Sequence, residues 1–330
     1  MTVPFRRLWC RPKRPLMPMS GQGRGRLILR LSAGGTARGT LVANRMTGRQ
    51  PNTLDAESRR ASDCYLSSMS PLPRLVQDLT NTFLHEVDDR LRDRLSGLFL
   101  HGSLCWGEFF EDSDVDFVTV WDVLPIGADL DLLGDAHRAT KERFPSLVFD
   151  GFHCTADDLR SDPSNIESRP TFYRGEFDPA GGIDINPVTW HELAERPVIV
   201  RGSLPKIWTD TATLVEFTRT NLDTYWRSHI EPMKEAGAED VGSLDPTVAW
   251  VALGAPRLHH LLSTGSLTSK SGAGRYVMDE LDPRWNKLGS EALRIRETPD
   301  APTLYDGHAE RGQDLIDLLA WIVEDGTRQR

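Results

Sequence analysis

Residues 98–120 constrain this chain more than any other stretch. Leu98-Phe99-Leu100 is an apolar run of strand length, and Gly102-Ser103 closes it. Asp114-Val115-Asp116 follows and leads into Phe117-Val118-Thr119-Val120. Side chains alternate in direction along a strand, so Asp114 and Asp116 share a face. Two carboxylates held side by side repel each other unless a cation lies between them. Oxygen pairs of this kind suit Mg²⁺, which takes one or two carboxylates and fills its shell with substrate phosphates. A Gly-Ser turn lets backbone N–H groups approach a phosphate closely. The stretch therefore reads as a phosphate half-site beside a metal half-site.

The surrounding pattern gives an α+β chain. Apolar residues from Leu75 to Val87 recur at helical spacing, predicting a helix over 72–95. Strands are expected at 98–100, 114–120, 147–153, 183–185 and 198–200, with helices starting near Leu104 and spanning 130–143. The capping-box spacing of Thr189 and Glu192 would open a further short helix. Long helical patterns then dominate at 214–228, 246–262 and 310–324, with Asp245 as a cap ahead of Pro246. The expected architecture is a mixed sheet with flanking helices, followed by an all-α bundle. The expected units are residues 66–210 and 211–330, with a boundary near 205–213.

Charge is unevenly distributed. Residues 1–60 hold 13 of the 39 Lys+Arg but only 2 of the 48 Asp+Glu. Residues 1–65 are therefore expected to be a disordered basic tail, since they cannot bury a core. An organellar transit peptide and a nucleic-acid-binding arm are the competing readings of such a segment. The acidic remainder argues against a nucleic-acid partner, because phosphate contacts need Lys and Arg. It favours cationic small molecules instead. No apolar run approaches the ~20 residues that cross a bilayer. Cys10, Cys64, Cys105 and Cys154 show no metal-ligand or redox spacing, which favours reduced thiols and the cytoplasm. A monomer is expected.

A metal site of this kind needs a third acid. Asp150, at the end of Leu147-Val148-Phe149, is the candidate, with Asp184 as its competitor. Each residue has a plainer reading. Asp114 and Asp116 could form a solvated strand edge, and Asp150-Gly151 a hairpin turn. Ser103 could be a helix cap, Arg257 and Lys270 surface charges, and His101 a packed histidine. The adjacent His259 and His260 point to different helix faces and make a poor metal pair.

The run of strand, Gly-Ser, about ten residues and Asp-apolar-Asp resembles the signature of the nucleotidyltransferase (polymerase β-like) superfamily. Ile185-Asn186-Pro187, Arg201-Gly202, Arg257-Leu258 and the run from Thr264-Gly265 to Lys270 extend the resemblance to streptomycin/spectinomycin-type aminoglycoside adenylyltransferases. The similarity covers roughly residues 75–325. It implies that Asp114 and Asp116, with Asp150, ligate Mg²⁺, and that Gly102 and Ser103 hold the triphosphate of ATP. It further implies that Asp150 is the general base, and that Arg257 and Lys270 reach the phosphates from the helical region. The implied reaction moves AMP to a hydroxyl of an aminoglycoside-like molecule and releases pyrophosphate. A macromolecular acceptor, or a non-catalytic nucleotide-binding regulator, is the alternative. The family presents a Trp and an acid to the antibiotic from the stretch corresponding to 225–245. Trp226 and the acids Glu231, Glu235, Glu239, Asp240 and Asp245 lie there without a one-to-one match.

Overall fold

The computed structural model describes residues 72–92 and 94–328. The expected basic tail, with Cys10 and Cys64, lies outside them. One six-stranded sheet has the order β5-β4-β3-β2-β1-β6. Its strands are β1 (Leu95–His101), β2 (Val115–Trp121), β3 (Phe149–Thr155), β4 (Arg169–Tyr173), β5 (Glu176–Gly181) and β6 (Val198–Arg201). Strands β2 and β3 are parallel, and the other described pairs are antiparallel. A parallel pair needs a long crossover, and helix Ala128–Arg143 supplies it.

Strand alternation sorts the core into two layers. The helix α1 (Arg74–Leu91) buries Val76, Leu79, Phe83, Leu84, Val87 and Leu91 on one stripe. Together with α2, the Ala128–Arg143 helix, it covers the sheet face that carries Phe117 and Phe149, whose rings lie 4.4 Å apart. The helices α3 (Ala156–Leu159) and α4 (Pro187–Glu195) cover the opposite face. There Phe99, Val118, Val120 and Phe152 pack with Leu159, Trp190 and Leu193. Phe152 and Trp190 stack almost parallel at 5.7 Å. Full burial of side chains such as Leu98, Phe99 and Leu100 contributes about 1.5–3 kcal/mol each. Because Phe99, Val118 and Phe152 face α4, so do His101, Asp116 and Asp150, each an even number of residues away along its strand.

The carboxy-terminal region is helical, as expected. Helix α5 (Thr211–Asn221) runs through a π-helical turn, Leu222–Trp226, into α6 (Arg227–Ala236). Then come α7 (Ala238–Gly242), α8 (Asp245–Thr264), α9 (Lys270–Asp279), α10 (Asn286–Glu297) and α11 (His308–Arg328). Their shared core includes Trp226, Val251, Val277, Leu288, Leu315 and Ile322. No helix among the described residues is long and apolar enough to cross a membrane.

Several local expectations are corrected. The segment 183–185 is a turn, not a strand: Asp184 adopts φ +59°, a left-handed conformation that ends extended pairing. One side of the sheet is completed by the β4–β5 hairpin, with β5 at its edge. The hairpin's two-residue turn, Arg174-Gly175, has positive φ at both positions, the geometry that suits strand twist. Helix α4 begins at Pro187 and is capped by Asn186 rather than Thr189, because the Asn186 side chain accepts from Val188 N–H and Thr189 N–H. Asp245 does not cap α8 but lies in its first turn, where it pairs with Arg294 and Arg311. The helix expected near Leu104 is a short 3₁₀ turn, Gly102–Trp106. Helix α1 stops at Leu91, followed by Arg92 at φ +52°.

Candidate active site

The register of three strands builds the floor of the site. His101 on β1 pairs with Asp116 on β2, and Asp116 pairs with Asp150 on β3. Cross-strand partners project on the same face, so one row carries an imidazole and two carboxylates beneath α4. Asp114 precedes the row, at the mouth of β2. Gly102 turns the chain away with φ +61°, and a Cβ there would lie 1.9 Å from Asp116 Oδ2. Only glycine allows the turn to rest on that carboxylate. Gly151 is equally constrained just after Asp150, where a Cβ would strike the Phe117 carbonyl at 2.0 Å.

Ser103 Oγ, at the start of the 3₁₀ turn, is buried and has no hydrogen-bond partner among the described residues. A buried hydroxyl without a partner is costly, so this donor suits an oxyanion ligand. Asp150 is 5% exposed, and its Oδ1 accepts from Arg174 N–H at 2.9 Å. The hairpin turn thus holds one oxygen of Asp150 in place.

The helical region closes over this floor. A cleft of about 290 Å³ is lined by His101, Gly102, Asp116, Asp184, Glu192 and Arg257, with Val188, Phe217, Leu258, Leu261 and Leu267 among its apolar walls. Arg257 on α8 donates through Nε to the Thr268 carbonyl at 3.2 Å and through Nη2 to Glu192 Oε1 at 3.3 Å. Lys270 is the first residue of α9, behind the cap Ser269. A cation there opposes the helix dipole, and burial, with the neighbouring charges of Arg257 and Arg296, lowers its pKa against the opposing pull of Asp114 and Asp116. A second tie is Glu108, in the loop after the 3₁₀ turn. It accepts from Ser269 Oγ at 2.5 Å and from Arg296 Nη2 at 3.1 Å.

No family model matches the chain, and no curated protein matches it. Among solved structures, the chain is similar to the spectinomycin adenyltransferase AAD(9) from Enterococcus faecialis, crystallised with ATP and spectinomycin. The identity is 13%, the TM-score 0.49, and the match covers 74% of this chain and 98% of that one.

The electrostatics of the floor are those of crowded acids. Burial and the neighbouring charge of Asp114 hold the Asp116 carboxyl well above the usual carboxylate range. Asp184 is raised by burial and by Asp114 and Glu192, against the opposing pull of His101. Burial, reinforced by Asp114 and Asp184, pushes Asp150 up to about 6 despite its hydrogen bond from Arg174. Burial alone would lower the His101 imidazole. The Glu192 carboxylate 3.6 Å from its Nδ1 and the charges of Asp116 and Asp184 outweigh that and push it up to about 9.

The residues fit a hard dication by their chemistry. Asp114 and Asp116 are carboxylate donors in an under-compensated acidic pocket. No three metal-ligating side chains close on one point among the described residues. Asp150, the third acid expected of such a site, is the cross-strand neighbour of Asp116.

The structure thus brings Asp114, Asp116, Asp150, Gly102, Ser103, Arg257 and Lys270 to one region. Arg201, included in the family resemblance, is engaged elsewhere, in a bidentate pair with Asp88 on α1 at 2.6 Å for both bonds. Glu192 and Glu108 carry no site signal in the sequence, and His101 there reads as a packed histidine. Glu192 lies 91 positions from His101, and no local spacing links them. Asp184, the competitor of Asp150 for the third acid, lines the same cleft. Its left-handed conformation inside a cleft is the kind of backbone strain found at functional sites.

Proposed function

We propose that this chain transfers AMP from ATP to a hydroxyl of an aminoglycoside-like small molecule and releases pyrophosphate. The observation that carries this reading is the Asp116–Asp150 row with Gly102 folded onto Asp116. It combines a phosphate turn, a metal-type carboxylate pair and a separate base within one strand spacing. Asp114 and Asp116 would hold Mg²⁺, which when bound neutralises charge on the transferring phosphoryl group.

The protein's own groups divide the remaining work. The Gly102 turn and the Ser103 hydroxyl face the phosphates, and Arg257 and Lys270 meet them from the helical side. Asp150, with a pKa raised to about 6, is ionised at neutral pH yet basic enough to take a proton. It removes the proton of the acceptor hydroxyl, whose oxygen bonds to the α-phosphorus as the bond to pyrophosphate breaks. The acidic surroundings favour a polycationic acceptor. Residues 66–210 would act as the catalytic domain and residues 211–330 as the domain that closes on it.

Pyrophosphate release with ATP and Mg²⁺ across an aminoglycoside panel that includes streptomycin and spectinomycin tests this reading, with Asp114→Ala as control. Release that depends on both an aminoglycoside and Asp114 is expected. Full activity of the control would refute the metal role. Labelled AMP appearing on a macromolecule would reassign the acceptor.

A further inference from the structure

Two of the groups read as phosphate ligands are already engaged by an anion of the protein itself. Glu192, on α4, is 3% exposed. Its Oε2 accepts from the Gly102 N–H at 3.2 Å. Its Oε1 accepts from Arg257 Nη2 at 3.3 Å and from Trp106 Nε1 at 3.3 Å. His101 Nδ1 stands 3.6 Å from Oε2 as a fourth partner. A turn amide, a guanidinium, an indole N–H and an imidazole around one centre form the donor set that an oxyanion seeks. A phosphate oxygen placed on Gly102 and Arg257 would meet the negative charge of Glu192 at close range.

We propose that Glu192 is an internal competitor of the nucleotide's phosphates. In the free protein its carboxylate occupies the cradle and holds Arg257 across the cleft. Nucleotide takes Gly102 and Arg257, and Glu192 keeps Trp106 and His101, neither of which the phosphates require. Ser103 Oγ, buried without a partner, is the donor that Glu192 leaves open to the phosphate from the outset. The affinity for ATP is then held below what the same cradle would have without Glu192. This proposal rests on the reading of Gly102 and Arg257 as phosphate ligands.

The two roles open to Glu192 predict opposite signs. A glutamate that merely positions Arg257 would weaken nucleotide binding when neutralised. A competitor would strengthen it. Calorimetric titration of the full chain with Mg-ATP, and separately with inorganic tripolyphosphate, distinguishes them. Glu192→Gln keeps the shape and removes the charge. The expected result is a Kd lower by roughly tenfold for both probes, the scale of one charge-assisted contact. Glu192→Asp withdraws the carboxylate by one methylene and is expected to shift Kd in the same direction by less. It serves if circular dichroism shows that Glu192→Gln does not fold. Equal or weaker binding by a folded variant, with wild type binding ATP, overturns the competitor role alone. No binding of either probe by wild type or variants at millimolar concentration overturns it together with the nucleotidyl-transfer reading.

Discussion

Glu291 in the helical region and Asp116 on the floor of the cleft are both carboxylates drawn away from water, and their surroundings treat them in opposite ways. Glu291 is fully buried and receives hydrogen bonds from Arg294, Arg311, Thr303 Oγ1 and the Leu304 N–H. Burial by itself would raise its pKa, but those partners pull it down to about 2. Asp116 is held high by burial and by Asp114, with His101 as its only compensating charge among the main influences. One cluster is complete within the protein. The other carries repulsion that a cation or a ligand would relieve. The first charge is satisfied within the fold, whereas crowded carboxylates with raised pKa in a cleft make a candidate functional site.

That contrast can be broken most sharply at its two centres. Asp116→Asn should lower pyrophosphate release by about 10³-fold or more, the scale of lost metal-assisted charge stabilisation. It should also raise the melting temperature, because it removes a repelled charge. A variant that lost both activity and stability would make Asp116 a structural acid like Glu291. Glu291→Ala should do the reverse. It leaves Arg294 and Arg311 without their buried partner and costs about 3–5 kcal/mol of unfolding free energy, read by denaturant titration.

The smaller effects test the base and the cations. Asp150→Asn should reduce kcat by about 10²-fold and leave ATP binding intact. In the wild type kcat should rise with pH through about 6, because the base works only when ionised; a flat profile would remove Asp150 from that role. Arg257→Gln should raise the KM for ATP by roughly tenfold with a smaller change in kcat.

The smallest effect concerns stability in acid. His137 and His153 are buried against each other, with their Nε2 atoms 3.0 Å apart. Burial lowers both, and adds to the charge of His153 in lowering His137. A group with a lowered folded value stabilises the fold above its unfolded value, 6.5 for histidine. That contribution fades as the pH falls, by up to about 1.4 kcal/mol per pH unit for each group. Asp150 has the opposite sign, since its raised value makes the fold gain stability on acidification towards the unfolded value. Thermal melts between pH 7.5 and pH 5 should therefore fall more steeply in Asp150→Asn than in wild type.

Much of the candidate site was legible locally. Asp114, Asp116, Gly102 and Ser103 lie within fifteen residues, and their spacing alone carries the phosphate and metal reading. The central strands and the long helices were equally plain, because their periodicities are set by neighbours in the chain. The β4–β5 hairpin was not legible, since Gly, Pro and Asp punctuate residues 161–182 and the strand pairing depends on Arg174-Gly175 adopting positive φ. The turn at Asp184 read as a strand because two isoleucines flank it.

By itself the sequence determined an α+β chain with a Gly-Ser turn and an Asp-Val-Asp pair at the ends of neighbouring strands. Hydrophobic period and turn chemistry are local, and so they survive without a partner. Only the tertiary structure decided which distant charges meet that motif. Strand register placed Asp150 beside Asp116, and the packing of α4 and α8 set Glu192 between Gly102 and Arg257. Charge pairing across 65 positions of chain depends on how layers close, and no spacing in the sequence encodes it.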